Sequence, residues 1–150
     1  MKDYKQLAQQ NFKCGYNCCQ AVLLAFCDEL GLDKETAARL SSSFGGGMGR
    51  MREVCGAVSG MFMVAGLNRG YSEPTAHKEK AEHYDLITEM AKEFKQENGS
   101  IICRELLAGV SKTEGTQPEE RTQEYYKKRP CAELVACAAE IAAKYLNNNK

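Results

Sequence analysis

Four cysteines of this chain, Cys18, Cys55, Cys103 and Cys131, sit where a sulfur can do chemistry. Each falls at the predicted start of a different helix. Cys18 follows the capping residue Asn17, Cys55 follows a glycine-rich loop, Cys103 lies in the first turn of a short helix, and Cys131 follows Pro130. Unsatisfied amide groups at a helix N-terminus carry partial positive charge and favour a thiolate over a thiol, pulling it below its usual ~8.5. Arg52, Arg104 and Arg129 adjoin three of the four and strengthen that field. If the four helix starts converge, they form an electropositive pocket for sulfur anions.

Two chemistries suit such a pocket. One is thiol–disulfide exchange, in which Cys55 attacks and Cys18, Cys103 or Cys131 resolves. The chain has no CxxC, so the partners must meet through tertiary structure. The other is a metal or iron–sulfur centre with Cys18, Cys55, Cys103 and Cys131 as thiolate ligands. A four-thiolate zinc site is chemically sensible, although the ligands are far more widely spread than the close pairs of zinc ribbons. The two options stand level, and neither establishes turnover. A third reading, from another class, is a non-catalytic helical module that binds a protein or a small molecule, with the cysteines as core filler. Met48, Met51, Met61 and Met63 would then line a soft groove.

The loop before Cys55 reads FGGGMGRMREV, with four glycines in the five residues 45–49. Glycine lacks a Cβ, so Gly45, Gly46, Gly47, Gly49 and Gly56 let the backbone bend sharply and sit against a cofactor or partner. The run lacks the Lys-Ser/Thr of a phosphate-binding loop and follows a helix rather than a strand, which argues against nucleotide binding. His77 and His83 are six residues apart, share no helix face, and are expected in solvent.

The elements that position these residues are all helical. Apolar spacing predicts helices over 3–13, 18–30, a third capped by Asp33, 54–68, 75–97, 101–108 and one starting at Pro130. Gly56 and Gly60 lie one turn apart, which would admit a neighbouring helix closely. Tyr84, Ile87, Ala91 and Phe94 form the expected inward face of the long helix, and residues 109–122 read as an exposed loop. No stretch alternates convincingly enough to be a strand. The prediction is an all-α, single-domain bundle of six to seven helices covering 1–150.

Composition bounds the function. The 150 residues carry zero formal net charge, which argues against a nucleic-acid partner. Runs such as Ala21–Phe26 and Met61–Leu67 fall far short of the ~20 residues of a membrane span. The polar N-terminus has no signal-peptide core, so a cytosolic, reducing location is expected, where eight cysteines point to ligation or redox work rather than to disulfides. Oligomeric state stays open, a homodimer included, as does the identity of any redox partner or small molecule.

Asn17-Cys18, the glycine loop, Cys55-Gly56-Ala57-Val58-Ser59-Gly60, Cys103-Arg104-Glu105-Leu106-Leu107 and Cys131-Ala132-Glu133-Leu134-Val135 together resemble the family of redox-active proteins named for a C-GCAxxG-C-C pattern. The resemblance covers nearly the whole chain. It implies Cys18, Cys55, Cys103 and Cys131 as the functional set and a redox role for them. Cys14, Cys19, Cys27 and Cys137 are additions to that pattern, and Cys19 leaves open which of the vicinal pair faces the pocket. Cys27 and Cys137 read as core filler.

Overall fold

Short polar side chains open the first helices. The Asp3 carboxylate accepts the Gln6 amide and starts α1 (Tyr4–Lys13). Asn17 accepts the Gln20 amide while the Gln20 side chain accepts the Asn17 amide, a reciprocal box that starts α2 (Cys18–Leu24). α3 (Cys27–Leu30) is a single turn ended by Gly31 at φ 66°. Asp33 accepts the Thr36 amide and starts α4 (Lys34–Ser41). Caps of this kind each contribute about 1 kcal/mol.

The predicted helix over 18–30 is therefore two helices. No glycine or proline marks the break; Phe26 leaves the helical path and its ring stacks on Tyr4, with centroids 4.4 Å apart. α5 (Gly56–Arg69) and α6 (His77–Asn98) follow, the latter stopped by Gly99. Then come α7 (Cys103–Leu106), α8 (Gln123–Lys128) and α9 (Cys131–Asn147). This computed structural model describes residues 2–110 and 112–147. Among them the chain is all-α; one isolated antiparallel bridge, Val54 to Ile102, is the sole β pairing. No helix among the described residues is long and apolar enough to cross a membrane.

α1 packs along α9 and α2 along α5, and α9 crosses α5, so these four surround the core. Phe12, Leu23, Phe26, Val58, Met61, Met90, Phe94 and Val135 fill it. α6 closes one side with a face rotated from the expected one. Met90 and Phe94 are buried and Leu86 and Ile87 pack partly, whereas Tyr84 is 55% exposed and meets Tyr71 edge-on at the surface. α8 was not expected at all. Thr122 caps it by accepting the Tyr125 amide, a signal hidden in a strongly polar stretch.

Candidate functional site

The CGAxxG segment builds the site through what its glycines omit. A Cβ at Gly60 would lie 2.8 Å from the Cys19 carbonyl oxygen and 2.9 Å from Val22 Cβ. A Cβ at Gly56 would lie 2.9 Å from the Phe44 carbonyl oxygen and 3.1 Å from Cys18 Cβ. α5 thus lies at backbone contact with α2, as the one-turn glycine spacing predicts, and this closeness seats Cys18 beside Cys55.

The glycine loop is a left-handed turn. Gly46, Gly47, Met48, Gly49 and Arg50 have φ between 59° and 71°, and Arg52 has φ 62°. Left-handed backbone costs an L-residue with a side chain roughly 1–2 kcal/mol, so Met48, Arg50 and Arg52 are held there by their surroundings. The amides of Arg50, Arg52 and Glu53 donate to the carbonyls of Gly45, Gly46 and Gly47 at 3.1, 3.2 and 2.9 Å. The Arg50 guanidinium donates to the carbonyls of Thr113, Gly115 and Gln117, fastening the 113–117 segment over the turn. A side chain at Gly47 would lie 2.6 Å from Cys103 Cβ, so the turn also touches the third cysteine.

Cys55 and Cys103 are brought side by side by the short bridge. The Cys55 amide donates to the Ile101 carbonyl at 2.8 Å and the Cys103 amide to the Glu53 carbonyl at 2.6 Å. Cys131, at the start of α9, completes the set. Cys18, Cys55, Cys103 and Cys131 line one cavity of about 70 Å³, with Gly46, Gly47 and Gly56 in its wall and Arg52, Arg121 and Arg129 around it. Beside it lies an outer pocket of about 400 Å³ that holds Gly45, Gly46 and Gly49.

The four sulfurs are not equivalent. The Cys18 thiol donates to the Cys131 sulfur, and that hydrogen bond, with Arg129, Arg121 and Arg52 behind it, lowers Cys131 to about 7 against the opposing effect of burial. The same contact, reinforced by burial, holds Cys18 far up as the protonated donor. Burial pushes Cys55 up to about 12 although the Ala57 and Val58 amides favour its thiolate. Burial also raises Cys103, opposed by Arg52, whose Nη1 stands 3.9 Å from the sulfur. The sequence reading makes Cys55 the nucleophile; of the four thiols, burial raises Cys55, and the Cys18 contact and the arginines lower Cys131. A helix start favours an anion only where the low dielectric around it does not cost more.

Other expectations resolve as follows. Of the vicinal pair, Cys18 faces the cavity and Cys19 turns to Met63, 3.8 Å away. Cys27 is buried and its thiol lies 3.8 Å from the Leu23 carbonyl. Cys137 is half-buried, packs against the edge of the core, and donates to Glu97 at 3.0 Å. Arg104 turns away to pair with Glu53, and Arg121, absent from the sequence reading, takes the place expected of it. Arg121 stacks over Phe12 at 4.2 Å and donates to the Phe12 and Tyr16 carbonyls. The methionines share no groove, since Met61 is buried and Met51 is 65% exposed.

The histidines lie elsewhere. His77 is exposed; His83 is half-buried rather than solvated, with Nδ1 enclosed and unpartnered and its ring edge-on to Tyr71. It lines a concavity of about 720 Å³ whose wall carries Glu73, Glu79, Glu82, Asp85 and Glu89. Among the described residues no three His, Cys, Asp or Glu side chains are arranged so as to hold a metal ion.

Residues 16–145 match the model of a family described as "Putative redox-active protein (C_GCAxxG_C_C)". Neither the curated proteins nor the solved structures contain a match to the chain.

Proposed function

The chain belongs to the C_GCAxxG_C_C family, and on that premise we propose that it is a thiol–disulfide redox protein in which Cys131 attacks and Cys18 resolves. The observation that carries this reading is that Cys18 and Cys131 line one small cavity with Arg52, Arg121 and Arg129 around it. A thiolate so placed is stabilised without a metal, and its resolving partner already touches it.

The step balances with a disulfide as oxidant. The Cys131 thiolate attacks one sulfur of R–S–S–R, the S–S bond breaks, and the leaving thiolate takes the Cys18 proton. The Cys18 sulfur then attacks Cys131 in the mixed disulfide and expels the second thiolate, which takes a proton from water. Two electrons pass from the protein dithiol to the substrate, leaving a Cys18–Cys131 disulfide. Cys55 and Cys103 stay reduced and fix the cavity's shape.

Alkylation tests the assignment. With its thiol lowered by the Cys18 contact and the arginines, Cys131 should react first and fastest with iodoacetamide near pH 7. Cys131→Ser should abolish that fast phase and Cys55→Ser should keep it. Mild oxidation followed by non-reducing peptide mapping should recover the Cys18–Cys131 disulfide. Fastest labelling at Cys55 overturns the roles. Stoichiometric zinc, or iron with sulfide, in protein purified without oxygen, together with Cys131 shielded from alkylation, overturns the reading in favour of a metal centre.

A further inference from the structure

Resting on the thiol–disulfide reading, we infer that the outer pocket beside Cys131 binds the acid group of a small, carboxylate-bearing disulfide, which is the substrate class of this site.

Access argues for a small molecule. Cys131 is only 8% exposed, and its cavity has no room for a folded partner's surface. The cavity shares Asn17, Gly46, Arg52, Arg121, Tyr125 and Arg129 with the outer pocket, which is therefore the way in. About 400 Å³ falls within the range of small-molecule sites.

Charge argues for an acid. On a chain of zero net charge, the outer pocket gathers Arg50, Arg52, Arg121 and Arg129 against a single carboxylate, Glu119. Glu119 hydrogen-bonds Arg129 and stands 3.6 Å from Arg50 Nη2 and 3.8 Å from Arg52 Nη2. Glu119 thus lies among three guanidinium groups, Arg121 adds a fourth, and positive side chains outnumber the carboxylate in the lining. We read Glu119 as the chain's own occupant of the place a substrate carboxylate takes. Guanidinium groups suit that role, since their planar fork matches a carboxylate. Tyr125 and Pro118 supply apolar wall, and Tyr125, pushed up to about 12 by burial, stays a neutral phenol.

The test compares three disulfides against the reduced full-length protein: dithiodipropionate (anionic), 2-hydroxyethyl disulfide (neutral) and cystamine (cationic). Thiol release and the Cys18–Cys131 disulfide are both followed. The anionic probe should react at least about tenfold faster than the neutral one, and the cationic probe slowest, with the order flattening as salt rises. Glu119→Gln should widen the gap and Arg52→Gln should narrow it. Suberate, which has methylenes in place of the two sulfurs, should slow iodoacetamide labelling of Cys131.

Reaction of all three probes with no charge order, and no protection by suberate, overturns the anion pocket and leaves thiol exchange standing. Protection by suberate without reaction of any disulfide does the reverse: the pocket stands and the redox reading falls. Failure of both overturns both.

Discussion

Two concave regions of the molecule differ in size and in charge. The groove along α6 measures about 720 Å³ and gathers Glu73, Glu79, Glu82, Asp85 and Glu89 with Arg69. The outer pocket beside the four-cysteine cavity measures about 400 Å³ and gathers four arginines with Glu119. A net charge of zero thus conceals two regions of opposite sign. Of the two, the positive one adjoins the cysteine cavity, where guanidinium groups stabilise a thiolate that carboxylates would destabilise. Cys137 shows the converse: burial and the neighbouring Glu97 push its thiol up to about 12.

The two regions also differ in how tightly their backbones meet, and substitution at two glycines of α5 exposes this. Gly60→Ala drives a Cβ into the α2 backbone and should cost about 1–3 kcal/mol, read as a lower urea midpoint and slower Cys131 alkylation. An unchanged midpoint would mean that α2 and α5 part easily and that the sulfur site is not held by contact there. The pH profile comes next in size. Cys131 has a lowered folded value, so its thiolate stabilises the fold above the unfolded ~8.5 and that gain is lost as pH falls through about 7. Cys19 and Cys55 are raised to about 12, so their contribution is full below ~8.5 and is lost as pH climbs toward 12. The unfolding free energy from urea titration should therefore peak near pH 8 and fall by about 1 kcal/mol per pH step above 9 for each buried thiol, and Cys19→Ala should lessen the alkaline fall.

Gly66→Ala, on the half of α5 away from the sulfurs, should act in the opposite direction from Gly60→Ala. No atom lies within 4 Å of the Cβ it would add, and replacing a helical glycine should contribute about 0.5–1 kcal/mol to thermal stability. The smallest expected effect belongs to Glu79→Gln and Glu82→Gln in the acidic groove. The midpoint for Cys131 alkylation should not move, because charges beyond about 10 Å in salt are screened from it. A shift toward lower pH would show that the two regions communicate.

The helices were legible where capping residues and apolar spacing agree, as at Asn17, Asp33 and along α9. The grouping of Cys18, Cys55, Cys103 and Cys131 followed from one local regularity, their place at helix starts. The ranking proposed for them was not legible there, because it rests on burial and on arginines that include Arg121, which reaches the site from a polar segment with no periodic signal. The break at Phe26 came from a ring stacking on Tyr4, and the rotated face of α6 from packing that a single stripe of apolar residues cannot orient. The left-handed turn was visible as glycines, but Met48, Arg50 and Arg52 adopt the same backbone without any sequence preference for it.

The Val54–Ile102 bridge sets how this site can come apart. Joining segments so distant in the chain closes a long loop, an entropic cost that no short-range element offsets. The Cys55 and Cys103 amides each depend on a carbonyl from the opposite segment. In hydrogen–deuterium exchange the pair should open as one event, at one rate and one free energy, with neither half surviving the other's departure. Protection in this part of the protein should be all or none.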